Sequence, residues 1–324
     1  MTTAEKNARA EAVANTRPDV TRDIVCGIDI GGTRTKVGLV DLGTNEVLGT
    51  IVIDTDRTDE TTFLGGMRRV VEILAAEHGR PRAVGVSIGS FVFSDGSIDG
   101  MSSMVPFLTH GYPMAERVGA FLALPCRVDN DARLIGLTEA RVGEGRGFSR
   151  VLTLTLGTGV GVGLCEDGHP EGTDSRIHLA GHIRVRDGGG VCGLDDEACY
   201  CGLSGCFEST CSGTSLGKVV RARLGQDQTC ETLFSRADAG DPEALIIVDW
   251  YLDMLARALN QYVYIYCPDI IVLGGGVARG LESRVDQIRS RMVAEVWEGQ
   301  RTEIRTTRLR EDSGVIGAAS LFAR

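Results

Sequence analysis

Residues 24–42 read IVCGIDIGGTRTKVGLVDL, and this stretch decides the fold. An apolar run at 24–30 ends in a glycine–glycine–threonine turn, and a second apolar run follows at 35–42. Two apolar runs that flank a short glycine-rich turn are typical of a β-hairpin. A third run at 47–54 extends the hairpin, so the sequence predicts a meander of three strands.

The same pattern returns in the middle of the chain. Residues 151–169, VLTLTLGTGVGVGLCEDGH, again give a strand, a glycine-rich turn and a strand. Helical spacing of apolar residues follows each meander, at 61–79 in the first half and at 241–265 in the second. The repeat predicts an α/β protein of two related halves, each opened by a β-hairpin.

The remaining predicted elements complete both halves. Short apolar runs bounded by turn residues predict strands, and apolar positions three and four residues apart predict helices. Further strands are predicted at 83–89 and 126–132 and, running into a glycine loop, at 269–280; further helices are predicted at 113–122, 132–143, 212–223, 281–297 and 313–323.

Length and composition limit the class of protein. With 324 residues, 43% of them hydrophobic and 24% charged, the chain suits a soluble protein of two domains. A net charge of −10 argues against a general nucleic-acid binder, which usually carries a basic surface. No apolar run is long enough to span a membrane, and residues 1–23 lack the apolar core of a secretory signal. We therefore expect a cytoplasmic protein with a flexible extension at residues 1–23 and no nucleic-acid or membrane partner.

Three glycine-rich turns stand next to apolar strands. They are DIGGTRTK (29–36), LGTGVGVG (156–163) and LGGGV (273–277). Glycines let backbone N–H groups approach an anion and threonine adds a hydroxyl donor, so the three turns indicate a nucleotide held between two lobes. Neither a P-loop nor a dinucleotide-binding fingerprint is present. Considered alone, the first stretch fits an ordinary hairpin turn equally well.

Candidate nucleotide-binding residues follow from these turns. Asp29, near the end of the first strand, suits Mg²⁺, because that ion prefers carboxylate oxygens either directly or through water. The residues assigned to phosphate and nucleotide contacts are Gly31, Gly32, Thr33, Lys36, Gly157, Thr158, Gly159, Gly274, Gly275 and Gly276.

Residues 199–208, CYCGLSGCFE, place three of the ten cysteines within eight positions. In a reducing cytosol, clustered cysteines are more often metal ligands or catalytic groups than disulfides. Together with His182, which follows a glycine upstream, Cys199, Cys201 and Cys206 make a Cys₃His set suited to a closed tetrahedral Zn²⁺ site. A disulfide and a chance cluster are the alternatives.

These motifs, in this order, resemble those of the ROK family of sugar kinases. DIGGTRTK, Asn-Asp-Ala after a strand, LGTGVGVG, a Gly-His pair, CxCGxxGCxE and VLGGGV occur in family order from residue 24 to the C terminus. The resemblance implies a two-lobed actin-like ATPase (ribonuclease H-like) fold, with a mixed sheet and flanking helices in each lobe and a cleft between the lobes. It implies an N-terminal lobe at 24–145, completed by a C-terminal helix at 313–324, and a C-terminal lobe with the zinc motif at 146–312.

The resemblance also implies an activity. It implies an ATP- and Mg²⁺-dependent kinase, with a structural Zn²⁺, that phosphorylates the 6-hydroxyl of a hexose or N-acylhexosamine and forms a homodimer or a dimer of dimers. Phosphoryl transfer to an alcohol needs a base that accepts the hydroxyl proton. Asp131 in VDNDA (128–132) matches the family's base, and Asn130 matches its sugar-binding neighbour. A helix N-cap also favours Asn or Asp here, and both roles can hold together.

The predicted sugar pocket departs from the family pattern. The resemblance assigns His182 and Glu208 to this pocket, but the insertion at 188–198 separates His182 from the cysteines and makes Cys192 an alternative fourth zinc ligand. Three further positions differ: Leu179 stands where the family has a glutamate, Gly89-Ser90 where it has Pro-Gly, and Met104 where it has an asparagine, with Ser102 and Ser103 as substitute donors.

Leu179 removes a carboxylate whose hydrogen bond to a substrate hydroxyl is worth roughly 1.5–3 kcal/mol. Three hypotheses follow. The substrate lacks that hydroxyl or carries an apolar group there; or His178, Arg176 or Asp174 takes over the contact; or the protein has lost kinase activity and senses a sugar. A non-standard acceptor such as a cyclitol, and polyphosphate as the donor, also stay open.

Two rival classes share this fold. Some ROK-type proteins are repressors with an N-terminal DNA-binding region, but 23 residues before the first strand are too few for a helix-turn-helix domain. A non-kinase ATPase would not need the cysteine motif or Glu208. We therefore expect a kinase.

Overall fold

The computed structural model describes residues 22–100, 105–186, 199–309 and 311–323. The first half is built on a five-stranded sheet with the strand order β3-β2-β1-β4-β5. The first three strands are antiparallel, as the meander predicts, and β4 and β5 run parallel to β1. The strands are β1 (Ile24–Ile30), β2 (Arg34–Asp41), β3 (Glu46–Asp54), β4 (Val84–Ile88) and β5 (Cys126–Asn130).

The second sheet repeats this topology with the order β10-β9-β6-β7-β8. Again the first three strands in sequence are antiparallel, and the last two are parallel to the first. The repeat predicted from the two glycine-rich hairpins is therefore a repeat of the whole sheet. The strands are β6 (Arg150–Leu156), β7 (Val160–Glu166), β8 (His169–Pro170), β9 (Ile270–Gly274) and β10 (Glu303–Thr306).

Helices cover both sheets. Those of the first half are α1 (Glu60–His78), α2 (Met114–Leu122) and α3 (Asp131–Val142), and α1 begins at the N-cap Asp59, whose side chain accepts a hydrogen bond from the Thr62 N–H. The second half contains a 3₁₀ helix (Arg176–His182), α4 (Phe207–Cys211), α5 (Gly213–Leu224), α6 (Cys230–Asp238), α7 (Pro242–Tyr266), a second 3₁₀ helix (Val277–Arg284) and α8 (Val285–Arg291). None of the helices described is long and apolar enough to cross a membrane.

The last helix, α9 (Ser313–Ser320), returns to the first half and packs against β1, β4 and α3. Two glycines allow this close contact. A Cβ on Gly27 would lie 2.1 Å from the Val315 carbonyl oxygen, and a Cβ on Gly85 would lie 1.8 Å from that of Ala318. The helix backbone therefore rests directly on the strand backbones.

The continuous helix predicted at 281–297 is wrong beyond residue 291. The chain forms the second 3₁₀ helix and then α8, which ends at Arg291. The side-chain oxygen of Asn260 in α7 accepts hydrogen bonds from the N–H groups of Val293 and Ala294, both at 2.9 Å. These tertiary bonds replace the helical ones, so the chain leaves the helix and runs along α7.

Candidate active site

Polar residues meet at the carboxyl edge of the first sheet. The register aligns Asp29 in β1 with Ser87 in β4, and Ser87 with Asp129 in β5. Asp131 follows directly as the first residue of α3. Because β1, β4 and β5 are parallel, their carboxyl ends bring these side chains to one edge of the sheet.

Asp29 lies in a crowded position at this edge. Its Oδ1 accepts a hydrogen bond from the Ser87 hydroxyl at 2.7 Å, and a Cβ on Gly314 in α9 would lie 2.4 Å from its Oδ2. Burial raises the pKa of Asp29, and the nearby Asp131 adds to the increase, while Ser87 and Lys36 oppose it. Two neighbouring carboxylates of this kind provide oxygen ligands suited to a divalent cation.

Asp131 is exposed at the first position of α3, next to the segment that follows β4. A Cβ on Gly89 would lie 3.4 Å from its Oδ2. Burial raises the pKa of Asp131, whereas the hydrogen bond from the Ala132 N–H and the proximity of His178 lower it. A carboxylate with a raised pKa, open to the cleft, is suited to act as a general base.

Asn130 is the N-cap of α3. Its side-chain oxygen accepts hydrogen bonds from the N–H groups of Ala132 and Arg133, and its amide donates to the Ser90 carbonyl oxygen at 3.1 Å. It is buried, with 3% of its surface exposed. The structure thus divides the Asn-Asp pair as the capping alternative predicts: Asn130 caps and Asp131 faces the cleft. A sugar contact by Asn130 stays a prediction and would need its second amide hydrogen.

Arg133 is a positioning residue that the sequence analysis missed. Its guanidinium forms a buried ion pair with Asp129 at 2.9 Å and donates to the carbonyl oxygens of Glu171 and Asp174, both at 2.6 Å. It therefore joins the end of β5 to the loop that leads into the 3₁₀ helix Arg176–His182. In the sequence, this ion pair was indicated only by the spacing of four residues between Asp129 and Arg133 across a strand–helix junction.

The first two glycine-rich turns are hairpin tips. The first is closed by a hydrogen bond from the Gly31 N–H to the Arg34 carbonyl oxygen and is supported by the Thr55 hydroxyl, while Thr33 is exposed. The tip at 157–159 likewise leaves Thr158 exposed. In the third turn, Gly274 is buried at the end of β9, and Gly275 and Gly276 are exposed.

Lys36 lies beside Asp29 but is held by the segment before α9. Its ammonium group donates to the Glu311 carbonyl oxygen at 2.7 Å and to Asp312 at 3.2 Å. A phosphate contact by Lys36 stays a prediction.

The cysteine motif and His182 come together. One ligand atom from each of His182, Cys199, Cys201 and Cys206 lies within 4.8 Å of the other three. His182 Nδ1 lies 3.6 Å from the Cys199 sulfur and 3.8 Å from the Cys206 sulfur. Tetrahedral Zn²⁺ with ordinary bond lengths separates nitrogen and sulfur ligands by about 3.6 Å, so the set fits this ion. The nine cysteines in the described part of the chain are free thiols, and Cys192 lies outside that part.

Electrostatics also favour a metal ligand set. Burial alone would raise the pKa of the Cys206 thiol, but hydrogen bonds from His182 and Ser209 lower it to about 6. A thiolate is the form that binds a metal. On its other side, His182 Nε2 is hydrogen-bonded to the Tyr200 hydroxyl at 2.8 Å, which sets the orientation of the ring.

Glu208 joins the cysteine motif to the second glycine-rich turn. Its Oε2 accepts a hydrogen bond from the Val160 N–H at 3.1 Å, and a Cβ on Gly159 would lie 2.8 Å from the same oxygen. Glu208 therefore connects the predicted metal site to the turn that is predicted to bind phosphate. Ser103, Ser102 and Met104 lie outside the described residues.

Leu179 and its neighbours lie on the 3₁₀ helix Arg176–His182. Leu179 is 43% exposed. Arg176 and Asp174 form an ion pair with each other at 2.6 Å, and His178 is the neighbour that lies near Asp131.

Comparison with known proteins places these observations in a family. The model of the ROK family matches residues 25–324. A glucokinase from Thermotoga maritima is 31% identical, over 91% of this chain and 96% of its own length. The N-acetylgalactosamine kinase AgaK from a Shewanella species is 32% identical, over 91% of this chain and 95% of its own length.

Solved structures agree with this assignment. A ROK hexokinase from Thermus thermophilus superposes with a TM-score of 0.74 at 26% identity, covering 91% of this chain and 96% of the other. A ROK family glucokinase from Streptomyces griseus, in complex with glucose and AMPPNP, superposes with a TM-score of 0.72 at 26% identity, covering 92% of this chain and 98% of the other. This chain therefore belongs to the ROK family and has its two-lobed actin-like ATPase fold.

Proposed function

We propose that this protein is an ATP-dependent sugar kinase that phosphorylates a hydroxyl group of a hexose or an N-acylhexosamine. The observation that carries the proposal is the position of Asp131, open to the cleft and beside Asp29, at the carboxyl edge of the first sheet. The glucokinases and N-acetylhexosamine kinases among its relatives support the substrate class.

In the proposed reaction, Asp131 accepts the proton of the attacking sugar hydroxyl. The sugar oxygen forms a bond to the γ-phosphorus of ATP while the bond from that phosphorus to the bridging oxygen breaks, which releases ADP. The raised pKa of Asp131, which burial causes, makes its carboxylate a stronger base than an exposed aspartate. We assign the attacking group to the 6-hydroxyl.

Backbone N–H groups of the hairpin tips at 31–33 and 157–159 would hold the phosphates, with Gly274, Gly275 and Gly276 near the nucleoside. Asp29 would hold Mg²⁺ directly or through water, and the ion would neutralise phosphate charge. The exposed hydroxyls of Thr33 and Thr158 support this arrangement.

A structural Zn²⁺ would be held by His182 Nδ1 and the sulfurs of Cys199, Cys201 and Cys206. Its effect would be to fix the chain around Glu208, which, with His182, Asn130 and Ser103, forms the proposed sugar pocket. Leu179 would contribute apolar surface to that pocket. The hydrogen bond from the Val160 N–H to Glu208 supports the coupling of the zinc site to the phosphate turn.

We divide the chain into lobes at 24–145, with the C-terminal helix at 313–324, and at 146–312, following an extension at 1–23. Closure of the lobes would exclude water and so limit wasteful hydrolysis of ATP. A cytoplasmic location is part of the proposal, as is a second copy of the chain as partner.

An apolar surface supports the homodimer. Tyr264 and Ile265 near the end of α7 are 62% and 55% exposed, and Val293 and Trp297 in the loop after α8 are 81% and 62% exposed. The hydrogen bonds from the Val293 and Ala294 N–H groups to Asn260 hold the start of this loop against α7, one helical turn before Tyr264. Exposed apolar surface of this kind marks an interface.

The first test is ADP release from Mg-ATP with a panel of hexoses, N-acetylhexosamines and cyclitols, using the wild type and Asp131→Asn. We expect turnover of one or more sugars, reduced by about 10²- to 10⁴-fold in the variant, because an amide cannot accept the proton. Asp286→Asn, whose side chain is 94% exposed on α8, is the matched control and should keep full activity.

Stability distinguishes lost chemistry from lost folding. The pKa of Asp131 is raised in the folded protein, so above that pKa its ionised form costs folding free energy, and below the ordinary pKa the cost disappears. Asp131→Asn should therefore be no less stable than the wild type at pH 7. A well-folded wild type that binds a sugar but phosphorylates none would contradict the kinase and favour a sugar sensor.

A further inference from the structure

His178 lies near Asp131 and has no role in the reaction proposed above. It is half-buried on the 3₁₀ helix Arg176–His182, and its ring packs against Phe91 with the ring centroids 5.8 Å apart. Phe91 belongs to the segment after β4 that also provides Gly89 at the Asp131 carboxylate.

The hydrogen bonding of His178 fixes its tautomer. Its Nδ1 is hydrogen-bonded to the Ser175 carbonyl oxygen, which can only accept, so Nδ1 carries the proton. Burial lowers the pKa of His178, so the ring is neutral near pH 7. Its Nε2 therefore offers a lone pair, and no described residue donates to it.

The support beneath His178 is rigid. Ser175 is fully buried, its hydroxyl oxygen accepts a hydrogen bond from the Val92 N–H at 2.7 Å, and its own N–H donates to the Val92 carbonyl oxygen at 3.1 Å. The two hydrogen bonds join the 3₁₀ helix to the segment that carries Phe91. The imidazole is thus held in place before any ligand arrives, which reduces the entropy cost of binding.

The charged residues around the His178 ring include Asp131, the proposed base. Asp131, Asp129, Arg133 and His182 lie near enough to His178 to interact with it electrostatically. The other polar neighbours of Leu179 are not equivalent, because Arg176 and Asp174 satisfy each other in an ion pair.

We propose that His178 contacts the substrate, its Nε2 accepting a hydrogen bond from a hydroxyl of the acceptor sugar that is not the hydroxyl deprotonated by Asp131. This inference rests on the proposed function and adds a specificity-determining residue to it. A neutral imidazole beside apolar Leu179 selects a substrate with a hydroxyl donor at that position, without the ionic contact that a carboxylate gives.

The test compares His178→Phe with the wild type on the best substrate of the panel and on each of its monodeoxy analogues. Phenylalanine keeps the ring against Phe91 and removes the acceptor. We expect kcat/KM for the parent sugar to fall about 10-fold, mainly through KM, because a ground-state contact is lost. For one deoxy analogue, the variant and the wild type should be equal, since the contact is absent in both.

Two further variants complete the design. His178→Gln, which offers a carbonyl acceptor, should recover part of the loss, and His169→Gln, at an exposed histidine of β8, should change nothing. Sugar binding can also be measured without ATP, as the shift in the thermal unfolding midpoint. This readout does not depend on phosphoryl transfer.

The outcomes separate the two proposals. If the wild type phosphorylates a sugar and His178→Phe does so equally well for the parent and every analogue, the His178 inference fails and the kinase stands. If the wild type binds a sugar without turnover and His178→Phe weakens that binding, the kinase fails and the inference stands. If no sugar binds or reacts, both are overturned.

Discussion

Gly27 and Gly85 lack a side chain for a reason that lies outside their own strands. Each faces a carbonyl oxygen of α9 at a distance where no Cβ fits. Glycine in a strand interior ordinarily weakens the strand, so these residues are kept for a close backbone approach. At this scale, one hydrogen atom in place of a methyl group decides whether the last helix can dock.

We predict that Gly85→Ala destabilises the protein by about 3 kcal/mol or more, because a methyl group 1.8 Å from the Ala318 carbonyl oxygen forces α9 away from the sheet. The free energy of unfolding in urea measures the effect. Gly65→Ala in α1 is the matched control. A Cβ there meets no atom within 4 Å, and alanine should stabilise the helix by about 0.5–1 kcal/mol. Equal stability of the two variants would contradict the close packing of α9.

At the scale of elements, the proposed zinc site would stabilise the second half by linking two segments that are distant in sequence. The ligand set joins the end of the 3₁₀ helix Arg176–His182 to the segment before α4. A metal held by four side chains supplies folding free energy that this segment cannot obtain from a core of its own. Of the proposed sugar-pocket residues, His182 ends this 3₁₀ helix and Glu208 lies in the first turn of α4.

Cys206→Ser should therefore lose bound zinc and lower both the thermal stability and the affinity for sugar. Mass spectrometry of metals should find about one zinc ion per chain in the wild type and much less in the variant. Cys267→Ser, at an exposed cysteine after α7, should keep the metal. Full zinc content in Cys206→Ser would exclude this cysteine as a ligand.

The sequence predicted the elements that local pattern determines. The hairpins at 24–42 and 151–169 and the helix at 61–79 agree with the structure because apolar periodicity and glycine turns are local signals. The helix at 281–297 was overextended because Asn260, distant in sequence, bonds its last residues. The spacing of the cysteines was readable, whereas the Arg133 contacts and the Ser175 link beneath His178 exist only in the folded chain.

At the scale of the whole molecule, two sheets of equal topology are present, and each half contains a different part of the proposed site. The first half contains Asp29 at the end of β1 and Asp131 at the start of α3, and the second half contains the turn at 157–159 between β6 and β7 and Glu208 in α4. The exposed apolar residues at the end of α7 and in the loop after α8 belong to the second half. A second copy of the chain that packed against these apolar side chains would remove them from water.

We predict that the protein is a dimer through this face. Tyr264→Asp combined with Ile265→Asp should give a monomer in sedimentation experiments, because charges at an apolar interface are costly to bury. Leu245→Asp and Ile246→Asp, at residues of α7 that are also exposed, should leave the mass unchanged. A wild-type monomer at micromolar concentration would refute the prediction.

The return of α9 to the first sheet has a consequence for biosynthesis. A ribosome completes β4 long before it makes residues 313–320, and at about 5–20 residues per second the delay is roughly 10–50 s. Throughout that interval the backbone faces at Gly27 and Gly85 await their partner. The first half of the chain is made first but is among the last parts to reach its native packing. Until then, its exposed strand backbones need protection from association with other nascent chains.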